Sequence, residues 1–101
     1  VRRSIYLIVN EDTGHVKIGI GKNPANRLQQ LQTGNSAKLI LAYSREIYHA
    51  SKVERNLHSF YQEHRLTGEW FDLPIDIFPE IDKKITLYES NFIALQDSPF
   101  I

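Results

Sequence analysis

Ser4-Ile5-Tyr6-Leu7-Ile8-Val9, followed by Asn10-Glu11-Asp12-Thr13-Gly14-His15 and then Val16-Lys17-Ile18-Gly19-Ile20, is the stretch on which the fold turns. The first run is apolar and β-branched, the middle is rich in turn formers, and the third alternates with period two. Together they predict an antiparallel hairpin. A loop from Asn10 to His15 puts Val9 opposite Val16. In that register Tyr6 lies opposite Gly19, with Lys17 diagonal to it on the same face. A slip of one residue would separate the pair.

Working outward, Asn23-Pro24 starts a helix, since Asn caps free amides and Pro tolerates the first helical position. Ala25, Leu28 and Leu31 give that helix an apolar stripe and Gly34 stops it. Leu39-Ile40-Leu41-Ala42-Tyr43 predicts a third strand. Ala50, Val53, Leu57, Phe60 and Tyr61 follow helical spacing between about His49 and His64. Beyond Gly68, Glu69-Trp70-Phe71-Asp72-Leu73 predicts an extended return segment. A last helix, about 78–95, carries Ile81, Ile85, Tyr88, Phe92 and Leu95 on one face. The expected fold is α/β (α+β): one domain over 1–101, with a small antiparallel sheet of about three strands flanked by helices.

Composition narrows the function classes. Its 101 residues suffice for one compact domain. Without Cys there is no disulfide framework, thiolate nucleophile or Cys-based zinc site. No apolar run approaches the ~18 residues of a membrane span and no leader is visible. The expected location is therefore cytoplasmic, nucleoid or nuclear, neither secreted nor in a membrane. The chain begins Val1-Arg2-Arg3 without Met, which leaves open that it is processed, trimmed or excised from something larger. Net charge is zero but unevenly spread. Residues 1–45 hold seven Lys/Arg against two acids, and the rest five against ten. One basic face for phosphate and an ordinary solvated surface both fit that split.

Five side chains can carry chemistry. An ammonium at Lys17 close to Tyr6 would favour the phenolate, which could take a proton from water. Arg27 flanks the buried stripe of its helix, placed to grip a phosphate with two donors. Glu54, between Val53 and Leu57, could hold a hard divalent cation. His58 lies one turn later on the same face, so Glu54 and His58 can form a metal pair if a third ligand exists elsewhere.

The order and spacing of these residues resemble the GIY-YIG nuclease superfamily, particularly its branch of phage-type and meiotic open reading frames. Ser4-Ile5-Tyr6 stands where that family has its first tripeptide and Lys17-Ile18-Gly19 where it has the second. Residues 23–34 look like its arginine-bearing helix, Val53-Glu54-Arg55-Asn56-Leu57-His58 like its metal-glutamate helix, and Gly68-Glu69-Trp70-Phe71 like a closing motif. The resemblance covers about 4–73 and stops before the last helix. It implies a metal-dependent endonuclease hydrolysing phosphodiester bonds in DNA, with RNA left open. Tyr6 would activate or align water, Lys17 would replace the second tyrosine, Arg27 would bind phosphate, and Glu54 would be the single metal carboxylate. Mg²⁺ is the expected ion, with Mn²⁺ able to substitute. Arg27, His58 and Lys22 are the candidate substrate-binding side chains. The roles of His58 and Glu69 stay open, Glu69 falling near a structural Asn of homing members.

Two other readings remain: a nucleic-acid-binding module without independent cleavage, and a protein-interaction domain docking through an exposed Trp70-Phe71 and the final helix. Specificity would come from a homodimer or a larger parent protein, since no separate DNA-reading motif is present. Tyr88, Phe92 and Phe100 fit either an interface or core packing.

Overall fold

A computed structural model describes residues 2–96. The hairpin forms as β1 (Arg2–Asn10) and β2 (Val16–Gly21), with Val9 opposite Val16 and Tyr6 opposite Gly19. The Asn10 side chain ties the turn by accepting the amides of Asp12 and Thr13, and Gly14 closes it at φ +76°. A side chain at that φ would be strained. Next, α1 (Pro24–Gln32) starts at an Asn23 cap whose Oδ1 accepts the Asn26 amide at 3.1 Å. Gly34, at φ +76°, terminates it.

β3 (Leu39–Tyr48) pairs with the other side of β1 and runs five residues past the apolar run that announces it. α2 (Ala50–Phe60) follows. It ends earlier than the apolar spacing suggests, because Gln62–His64 tighten into a 3-10 turn. The sheet has five strands, not about three. β4 (Arg65–Thr67) and β5 (Trp70–Phe71) add to the edge of β2, giving the antiparallel order β3-β1-β2-β5-β4. β5 lies within the segment expected to be extended, but strands of three and two residues carry too little alternation for their place in the sheet to be read from sequence. α3 (Phe78–Gln96) closes the described chain.

Both faces of β1 are covered, so Ile5-Tyr6-Leu7-Ile8 is buried without a break. One face packs Ile5, Leu7 and Ile18 against Val53 and Leu57 of α2 and Ile81 and Ile85 of α3. The opposite face packs Tyr6, Ile8 and Leu39 against Leu28 and Leu31 of α1, with Trp70 at the margin. Ala25 is exposed and so is Leu95, so neither completes its predicted stripe. Tyr88 and Phe92 pack onto the core, while Phe100 lies outside the described residues. Phe71 is fully buried and Trp70 half-buried, which removes Trp70-Phe71 as an exposed docking pair. No helix among the described residues is long and apolar enough to cross a membrane.

Two phenols clasp α3 to the rest. Tyr43 donates to Asp82 at 2.6 Å and Tyr61 to Glu80 at 2.7 Å. Burial, with the carboxylate beside it, pushes Tyr43 from the ordinary 10.0 up to about 12, and burial and Glu80 raise Tyr61 too. A phenol pKa raised by folding adds stability that is complete below the unfolded value and lost as pH rises through the folded one. Urea midpoints should therefore fall between about pH 10 and about pH 12, and the Tyr43→Phe/Tyr61→Phe protein should fall less steeply over that window. Parallel slopes for the two proteins would refute this assignment.

Candidate functional site

β5 covers β2 only along Val16 and Lys17, with the Ile18 amide donating one further bond to the Glu69 carbonyl at 3.0 Å. N–H and C=O of one strand residue point to the same side, so the Ile18 carbonyl faces that same edge beyond the end of β5. His58 of α2 satisfies it, Nε2 lying 2.9 Å from the Ile18 oxygen. Because a carbonyl can only accept, Nε2 carries the proton. The imidazole also packs on Phe71, 5.1 Å between ring centres. This short edge is where the polar side of α2 meets the tyrosine-bearing face of the sheet.

Lys17 is buried, 7% exposed, and its Nζ donates to Glu69 Oε1 at 2.8 Å. It is diagonal to Tyr6 as the register predicts, but its charge is committed to Glu69 and lies over the Trp70 ring. The expectation that Lys17 lowers the Tyr6 pKa is therefore corrected. Burial raises the phenol above its usual value, Glu69 and Glu54 raise it further, and the cation that opposes them is Arg27. Tyr6 is thus a protonated phenol at neutral pH with the guanidinium of α1 against it. Gly19 makes the space: a Cβ there would stand 2.7 Å from both Cζ and Oη of Tyr6.

Glu54 occupies the α2 side of the same space. One of its oxygens, Oε2, is buried with no hydrogen-bond partner. Burial first, then the neighbouring Glu69 carboxylate, push its carboxyl up to about 7, with Lys17 opposing. Ligand atoms of Glu54, His58 and Glu69 all lie within 4.8 Å of one another. An orphaned buried carboxylate oxygen is costly unless something positive meets it, so these residues fit a divalent cation. A shallow groove continues past Glu54 and His58 between Arg55 and Arg65. Neither arginine is ion-paired among the described residues.

Six of the sequence candidates, Tyr6, Lys17, Arg27, Glu54, His58 and Glu69, are thus drawn together. Lys22 is exposed just after β2 and makes no hydrogen bond or ion pair with the others. Sequence reasoning missed Glu69 as the hub that contacts Lys17 and Glu54. Its only signal was the Gly68-Glu69-Trp70-Phe71 motif. Arg55 and Arg65 were missed as the walls of the groove.

A family model described as the T5orf172 domain matches residues 3–86. The chain belongs to the T5orf172 domain family. Neither the curated proteins nor the solved structures compared with it give a match. The T5orf172 match runs past residue 73 into α3, so the family pattern includes the first half of the final helix that the motif comparison left out. The T5orf172 domain is associated with phage-type, homing-endonuclease-like nucleases, which suggests a nuclease-like, DNA-binding role.

Proposed function

We propose that this T5orf172 domain is a divalent-metal-dependent endonuclease of the GIY-YIG kind that hydrolyses phosphodiester bonds in DNA. The observation that carries the reading is the unpartnered, buried Glu54 oxygen in the same small space as the Tyr6 phenol. Phosphodiester hydrolysis needs an aligned water, stabilisation of the charge that develops on phosphorus oxygens, and help for the leaving oxygen.

Glu54 would hold the cation, which when bound would act as a Lewis acid on the phosphate and offset charge on the leaving oxygen. Arg27 would bind a non-bridging phosphate oxygen beside the phenol. Tyr6, protonated and fixed against Gly19, would orient the attacking water by accepting a hydrogen bond from it at the phenol oxygen. Lys17 would neutralise Glu69, so that two carboxylates can stand side by side in a site meant for a polyanion. Arg55 and Arg65 would give the adjoining groove the charge to follow a phosphate backbone. One such centre cuts one strand at a time, and double-strand cleavage would need a second copy or a second encounter.

Supercoiled plasmid tests the reading. Mg²⁺ or Mn²⁺ should yield the nicked circle first, EDTA should stop the reaction, and Arg27→Ala should slow it by at least about a hundredfold. DNA binding with no cutting in either metal would instead favour a binding module.

A further inference from the structure

The sequence pairs Glu54 with His58 at helical spacing but supplies no third donor. The fold does, from a segment eleven residues beyond the helical pair. Glu69 stands in the turn just before β5, its backbone held by the Ile18 amide at 3.0 Å and its side chain by Lys17 at 2.8 Å. Its carboxylate is thereby brought within 4.8 Å of the donor atoms of both α2 residues. His58 is also set in the way metal-bound imidazoles are set. Its Nε2–H is spent on the Ile18 carbonyl at 2.9 Å, which fixes the tautomer and leaves Nδ1 with a free lone pair. A ring nitrogen tied to a backbone carbonyl orients its partner nitrogen for a metal. The second, independent sign is Glu54 Oε2, shut away from water with nothing to bond.

We propose that Glu54, His58 and Glu69 together hold the divalent cation, and that the His58 imidazole nitrogen biases the site from Mg²⁺ toward transition ions such as Mn²⁺. This rests on the reading of the site as a metal centre and revises the ion expected there. Mg²⁺ strongly prefers oxygen donors and keeps its waters, whereas imidazole nitrogen is a good ligand for first-row transition ions. Two carboxylates and one neutral imidazole carry two negative charges. Lys17 offsets one of them, which should keep affinity moderate.

The test is Mn²⁺ binding to the full chain followed by electron paramagnetic resonance, with Mg²⁺ as competitor. One Mn²⁺ should bind, and its pulsed spectrum should show modulation from a coordinated imidazole nitrogen. His58→Gln should abolish that modulation and weaken Mn²⁺ by at least about tenfold, while changing Mg²⁺ affinity much less. Glu69→Gln should weaken Mn²⁺ with the nitrogen signal retained. Nitrogen modulation absent from the wild type, or unchanged in His58→Gln, would overturn the proposal. If His58→Gln does not fold, as its thermal melt would tell, the wild-type spectrum alone decides. Glu54→Gln keeps the two readings apart. Loss of all Mn²⁺ and Mg²⁺ binding in that variant, with no nitrogen signal in the wild type, defeats the three-donor site and leaves a carboxylate metal centre. Unchanged binding in Glu54→Gln defeats both.

Discussion

Glu54→Gln should eliminate strand cleavage, by about a thousandfold or more, and should at the same time make the metal-free protein more stable at alkaline pH. The two effects share one cause. The Glu54 carboxylate is buried beside Glu69 and one oxygen bonds to nothing. Folding raises its pKa from 4.5 to about 7. For an acid raised by folding, the associated stability is complete below the unfolded value and lost as pH climbs through the folded one. Above that window the wild type carries an ionised carboxylate in a site that favours the neutral form. Glutamine keeps the shape without the charge, so Glu54→Gln should gain on the order of 1 kcal/mol at about pH 8 in EDTA and little at about pH 4. Urea denaturation at both pH values, with a nicking assay alongside, reads the two effects. A variant that is inactive and also less stable at alkaline pH would mean that Glu54 serves the fold.

Gly19→Ala should be nearly as damaging to activity, and for a steric reason. Elsewhere in a strand this change is mildly favourable, because glycine loses more backbone freedom on folding. Here the added carbon would meet the Tyr6 ring at 2.7 Å, and the ring is 2% exposed, walled by Leu28, Leu31 and Ile8. It has nowhere to swing, so the strand or the phenol must shift. Overpacking of this kind costs about 1–3 kcal/mol, and a displaced reacting group costs about a hundredfold in rate. Gly21→Ala is the control: its carbon would sit 3.8 Å from Tyr6 Cε2, an ordinary contact. If both alanine variants behave alike in stability and nicking, the packing of Tyr6 over Gly19 has no special importance.

These particulars show how far the chain alone could be read. The hairpin register was legible because a six-residue turn with Asn10 and Gly14 leaves little freedom, and Tyr6 over Gly19 followed from it. The start of α1 was legible because Asn-Pro is a local signal that tertiary contacts seldom overrule. Lys17 was placed correctly and partnered wrongly. Its real counter-ion, Glu69, lies in the turn just before a strand of two residues; the segment was expected to be extended, but no local pattern announces its pairing with β2. His58 was open for the same reason: its fixed tautomer depends on a carbonyl exposed where β5 stops short. Helix periodicity found the buried positions Val53, Leu57, Ile81 and Ile85, but it extended the α1 and α3 stripes to Ala25 and Leu95, which reach water at the helix ends.

The central claim is that phenol, guanidinium, carboxylates and imidazole surround one cation site. Paramagnetic broadening of nuclear resonances by substoichiometric Mn²⁺ tests it directly. The signals of Glu54, His58, Glu69 and the Tyr6 ring should fade together, ahead of all others. Broadening centred on the acidic α3 positions Glu80, Asp82 and Glu89, with the Tyr6 ring untouched, would contradict the account.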